Sequence, residues 1–229
     1  MDGDIYVVQD GGRLVPLRRE PYESEDALQA LLAQYPSLLA GDQVSPESPR
    51  RWLLVRREVG VPLEEGGGAW FAVDHLFLDQ DAVPTLVEVK RAGDTRARRE
   101  VVAQMLDYAA NAVTYWPPES LRTQFEARCR AEGQDPDEVL AQFLNAGTDG
   151  ETFWQQVKTN LQAGRVRLVF VADEVPLELQ RIVEFLNAQM DPAEVLAVEI
   201  RQYAGQGLKT LVPPESDSRR HPTRGCHRG

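Results

Sequence analysis

The sequence predicts an α/β fold in which a mixed sheet carries flanking helices and a helical insertion. Three observations lead there. Phe71 to Asp79 alternates as a strand, Gln80 to Val83 breaks the pattern, and Thr85 to Arg91 forms a second, mostly apolar strand before a helical period sets in. Arg165 to Ala172, Pro176 to Met190 and Val195 to Tyr203 read as strand, amphipathic helix and strand, which implies a crossover and at least one parallel pair. Between these blocks, residues 118–164 read as helices with more acids than bases.

Taken in order, Ile5 to Leu17 alternates around Asp10, Gly11 and Gly12, a tight-turn sequence that needs positive φ, so a hairpin is expected over residues 1–20. Ser24 can cap a helix with Ala27, Leu28, Leu31, Leu32 and Tyr35 at helical spacing, and Pro36 stops it. Glu25 opens that helix, where its charge meets the positive end of the dipole. Gly41 to Pro49 reads as a loop, Arg51 to Val61 as a strand carrying Trp52, Leu54 and Val59, and Glu64 to Gly68 as a turn. A helix followed by three sequential strands is most simply an antiparallel meander.

After Gly93, Asp94 or Thr95 caps a helix that runs to about Tyr115 on a stripe of Val101, Val102, Met105, Leu106, Ala109 and Val113. Pro117 and Pro118 end it. In the insertion, Asp135, Pro136 and Glu138 form a helix start, and Trp154 either packs over the core or covers one side of a site. Residues 213–229 lack periodicity and read as a disordered basic tail, leaving 21–212 as the main domain with its insertion at 118–164.

A chain of 229 residues with 42% hydrophobic content can bury a real core. No apolar run approaches the roughly 20 residues of a membrane span, and the first residues lack a signal-peptide pattern, so no membrane association and a cytoplasmic location are expected. Cys129 and Cys226 lie far apart without metal-ligand spacing, which argues against a disulfide or zinc site. A net charge of −11 argues against coating nucleic acid through the overall field. A local basic patch of Lys90, Arg91, Arg96, Arg98 and Arg99 remains as the surface nucleic acid would meet.

The chemistry concentrates on the central hairpin. Period two puts Glu88 and Lys90 on one face and Val87 and Val89 on the other, with Asp74 on the partner strand near the height of Glu88. Two carboxylates brought together repel; a divalent cation is the usual remedy, and oxygen ligands favour Mg2+ or Mn2+. A metal held by Asp74 and Glu88 would polarise a phosphoryl oxygen and activate water, with Lys90 stabilising the developing charge. Phosphodiester hydrolysis is the reaction implied. An acid and a lysine two apart on a strand more often form a surface ion pair, but here they are joined by the hairpin acid and by Gln104 and Tyr108 four apart on the next helix. Those two residues also have a plain reading as a polar helix flank. Arg96, Arg98 and Arg99 have the wrong sign for a helix start unless anions visit, and phosphates are natural visitors; pairing with Glu100 or simple solvation is the competing reading. His75 is expected on the opposite strand face in a structural role.

Asp74, then Glu88-Val89-Lys90, then Gln104-Met105-Leu106-Asp107-Tyr108 resemble the PD-(D/E)xK nuclease superfamily, and the Q-x-x-x-Y helix resembles its RecB-like branch. The order of helix, three strands, helix and strand is also similar to that superfamily's core. The resemblance implies a restriction-endonuclease-like fold and a magnesium-dependent deoxyribonuclease of repair or defence. It implies that Asp74 and Glu88 bind the metal with the Val89 carbonyl, that Lys90 assists the nucleophile, and that Glu25, Gln104 and Tyr108 complete the site. Ala72-Val73 stand before Asp74 where the name-giving proline of the family might be. DNA is the expected partner, with a protein partner or a homodimer also allowed. The alternative is a nuclease-fold module that binds or assembles without cutting.

Overall fold

The computed structural model describes residues 5–9, 11–45, 47–62, 69–91, 97–145 and 147–213. The chain opens with β1 (Ile5–Val8) and β2 (Leu14–Arg19), joined by a turn in which Gly11 and Gly12 take φ of +82° and +78°. Asp10 lies outside the described residues. Helix α1 (Glu25–Gln34) begins at Ser24, whose hydroxyl accepts from the Ala27 amide at 3.1 Å, a cap that contributes about 1 kcal/mol. Pro36 then starts a short 3-10 turn rather than more α-helix, and the expected loop after it contains one turn of helix, α2 (Gly41–Val44).

Strands β3 (Trp52–Pro62), β4 (Ala69–Asp79) and β5 (Pro84–Lys90) form the antiparallel meander. Helix α3 (Ala97–Tyr115) follows; Asp94 and Thr95, read as its cap, lie outside the described residues. The insertion folds as α4 (Pro118–Ala131), α5 (Pro136–Phe143) and α6 (Gly150–Gln162). Asp135 caps α5 as its sequence predicts, accepting from the amides of Asp137 and Glu138. Trp154 packs in the core against Phe125 and Phe153, which settles its role as structural.

Strands β6 (Arg167–Ala172) and β7 (Glu194–Glu199), linked by α7 (Leu177–Gln189), extend the sheet in parallel to give the order β3-β4-β5-β6-β7. Strands β5 and β6 are apolar along nearly their whole length because both their faces are covered. On one face Val87, Val89, Val169 and Val171 meet Leu28 and Leu32 of α1. On the other, Leu76, Leu86, Leu168 and Phe170 meet Val101, Met105, Phe125 and Val157 from α3, α4 and α6. Each such side chain contributes roughly 1.5–3 kcal/mol on burial.

The single strand expected over Val195 to Tyr203 is two. The chain turns at Ile200, and β8 (Arg201–Gly205) and β9 (Leu208–Val212) leave the large sheet to pair with the amino-terminal hairpin in the order β1-β2-β8-β9. Ile200 is fully buried; its amide donates to the Ala172 carbonyl at 2.8 Å and its carbonyl accepts from the Tyr22 hydroxyl at 2.9 Å. That anchoring fixes the corner. The hairpin of residues 1–20 is therefore half of a second sheet rather than a unit of its own. Residues 214–229, the expected basic tail with Cys226, lie outside the described residues, while Cys129 is buried in the core.

Candidate active site at the end of β5

The ladder between β4 and β5 runs from Leu78 opposite Pro84 to His75 opposite Val87. The paired register stops there, and just beyond it the charge of Asp74 acts on Glu88, so the two carboxylates are neighbours. Asp74 also ends the ladder chemically, because its Oδ2 accepts from the Val89 amide at 2.7 Å. The parallel neighbours of Glu88 and Lys90 are Phe170 and Ala172, both in the core on the α3 side, so the two polar residues emerge toward α3 while Val87 and Val89 pack toward α1. The alternation expected from the sequence places these side chains as predicted.

Glu88 is 2% exposed. One carboxylate oxygen, Oε1, lies 3.0 Å from the Lys90 Nζ, while Oε2 is buried with no hydrogen-bond partner among the described residues. Burial lifts its carboxyl to about 7, Asp74 adds to the shift, and Lys90 opposes it. Burial raises Asp74 as well, against the pull of the Val89 amide and Lys90. Burial also lowers Lys90, but the charges of Glu88, Glu25 and Asp74 outweigh it and hold the amine above the ordinary lysine value. Lys90 is thus a fixed cation rather than a base.

Glu25 reaches the cluster from the start of α1. Its Oε1 accepts from the Arg91 amide at 3.2 Å and its Oε2 lies 3.7 Å from Lys90 Nζ, so it ties the helix to the end of β5. From α3, Tyr108 is buried, donates to the Ala72 carbonyl at 3.1 Å and accepts from the Gln104 amide. Burial raises the Tyr108 phenol, and the charges of Glu88 and Asp74 add to this. The helix pair therefore borders the carboxylates and holds β4 two residues before Asp74.

Arg91 is exposed, with its guanidinium 3.5 Å from the Glu23 carbonyl. Arg96 lies outside the described residues; Arg98 and Arg99 fall in the first turn of α3, and their side chains are outside the described ones. His75 is fully buried on the α1 side, its Nε2 2.8 Å from the Gln29 carbonyl and its ring stacked on Phe77, so it belongs to the core. Burial lowers its imidazole to about 4.

Among the described residues, no three His, Cys, Asp or Glu side chains converge closely enough to enclose a metal ion. The donors present are two neighbouring carboxylates, one with an unpartnered buried oxygen. That set fits magnesium, which takes one or two carboxylates and retains several waters, better than it fits a metal needing an all-protein cage. No helix is long and apolar enough to cross a membrane among the described residues.

Sequence reasoning missed a second buried charge cluster at the opposite end of the sheet. Asp79 accepts from Arg167 at 2.9 Å and from the amides of Asp81 and Val83, while Arg167 also meets Glu194 and lies 5.6 Å from the Trp52 ring centroid. An acid ending one strand and an arginine opening another carried no periodic signal. Asp79 is met by Arg167 and by two backbone amides, and Arg167 spans Asp79 and Glu194, so the ion pair is satisfied within the protein, which marks it as structural. Comparison with protein-family models, with curated proteins and with solved structures gives no match to this chain.

Proposed function

We propose that the chain is a metal-dependent nuclease hydrolysing phosphodiester bonds of DNA on a restriction-endonuclease-like core. The observation that carries this reading is the meeting of Asp74 and Glu88 beside Lys90, with one Glu88 oxygen buried and unpartnered. Asp74, Glu88 and the Val89 carbonyl would hold Mg2+ or Mn2+, which when bound supplies Lewis-acid polarisation of the phosphoryl oxygen and lowers the pKa of water. Lys90 stays protonated and offsets negative charge that builds up on the phosphate oxygens. Glu25 positions Lys90, and Tyr108 with Gln104 pins the strand bearing Asp74. Arg91, Arg96, Arg98 and Arg99 bind phosphates next to the site.

A second reading, a nuclease-fold module that binds or assembles without cutting, is favoured by two facts: Lys90 already occupies Glu88 Oε1, and no third acidic side chain closes a metal site among the described residues. Incubation with linear single-stranded and duplex DNA in Mg2+ or Mn2+, beside Lys90→Ala, separates the two. Cleavage lost in the variant supports the enzyme, and binding without cleavage supports the module.

A further inference from the structure

A groove of about 930 Å³ runs along β3 between α1 on one side and α4 and α5 on the other. β3 is the edge strand of the five-stranded sheet, so its outer side meets no other strand and helices packed on the two faces form the groove walls. Six lining residues set its chemistry: Trp52, Arg56 and Arg57 from the strand, Gln34 from α1, and Gln124 and Arg128 from α4.

Three arginines and one acid, Glu132, line the groove of a chain whose net charge is −11; Arg128 pairs with Glu132 at 2.6 Å and Arg57 with Asp26 at 2.7 Å, which leaves Arg56 to carry the excess positive charge. That local reversal of sign favours an anion. Arg56 is exposed, with no ion-pair partner among the described residues. The indole of Trp52 is 8% exposed, and its Nε1, like the Nε atoms of Arg57 and Arg128, is buried without an acceptor among the described residues.

Arg57, which lines the groove, lies within electrostatic reach of the carboxylate cluster. Its Nη2 donates to Asp26 at 2.7 Å, one residue after Glu25, and its charge acts on Asp74. We infer that the groove holds a single polynucleotide strand flanking the phosphodiester at Asp74, Glu88 and Lys90; this rests on the hydrolytic reading of that site. The arginines meet phosphates and the glutamine amides meet base edges. A single strand leaves its base edges open to such side chains, whereas a duplex engages its Watson–Crick edges in pairing.

The test is fluorescence anisotropy with labelled oligonucleotides of about 12 residues, as single-stranded DNA, single-stranded RNA and blunt duplex DNA, without divalent metal. Wild-type protein is expected to prefer a single strand over the duplex. Arg56→Glu should weaken single-strand binding and flatten its salt slope by at least about 0.7, the share of one phosphate contact. Ala127→Trp, which fills the groove from an exposed position on α4, should weaken binding with the slope unchanged; both variants should keep the wild-type Tm. Single-strand binding unaffected by either substitution, or a preference for duplex, overturns the groove assignment and leaves the hydrolytic site standing. No binding and no cleavage of any polynucleotide overturns both.

Discussion

Glu88 is a buried acid whose environment disfavours its own charge, and that sets a measurable pH signature. Its carboxyl stands at about 7 in the folded protein against 4.5 for the free side chain, so the folded state binds more protons between those values. Its contribution to stability therefore declines as pH rises through that window. Glu88→Gln is expected to raise the metal-free Tm at pH 8 by a few degrees, with no gain below pH 4.5, as followed by thermal melts. A variant less stable than wild type at pH 8 would show that the Lys90 pair outweighs burial. Mg2+ should raise the wild-type Tm at pH 8 by binding the folded state alone. Glu88 and Lys90 were legible as neighbours because strand alternation is strict. The contact of Glu25 with the Arg91 amide was not, since it joins residues 66 apart in sequence.

The elements divide in the same way. Helices α1 and α3 emerged from periodicity because each buries one stripe against a neighbour, and the β4–β5 hairpin, buried on both faces, emerged from two strand-length runs on either side of a turn. The break at Ile200 was hidden, since one apolar residue between two strands keeps the alternation running and only burial under Tyr22 bends the chain. At the far end of the sheet, Arg167→Met leaves Asp79 buried with its main cationic partner gone. Denaturant unfolding should then show a loss of about 3 kcal/mol, whereas a change near zero would mean that Arg50, 3.6 Å from Asp79, suffices. Alanine at Arg96, Arg98 and Arg99 together should keep the Tm and weaken DNA binding with a shallower salt slope. Unchanged binding would make them ordinary surface charge.

At the scale of the whole molecule, the second sheet brings the chain's two ends together, with Arg18 opposite Ala204 and Arg19 opposite Tyr203. Pairings of that sequence separation leave no local trace, which is why the amino-terminal hairpin read as isolated. The second sheet also flanks the site: Lys209 of β9 pairs with Glu23 at 2.8 Å, and Arg19 of β2 donates to the carbonyl of Asp173, just past the end of β6. Tyr22 sits at the seam between the sheets. Tyr22→Phe removes the donor to the Ile200 carbonyl and should cost about 1–2 kcal/mol in denaturant unfolding, with a negligible loss showing that water replaces the hydroxyl.

The central claim is hydrolysis at Asp74, Glu88 and Lys90, and a paired measurement on three proteins tests it most directly: Mg2+ or Mn2+ binding by calorimetry, and cleavage of single-stranded and duplex DNA. Wild type should bind metal and cut. Lys90→Ala should bind metal at least as tightly, because a positive neighbour of Glu88 is gone, yet lose cleavage; Asp74→Ala should lose both. A wild-type protein that binds neither metal and cuts neither substrate, or a Lys90→Ala variant that cuts at the wild-type rate, would contradict the account.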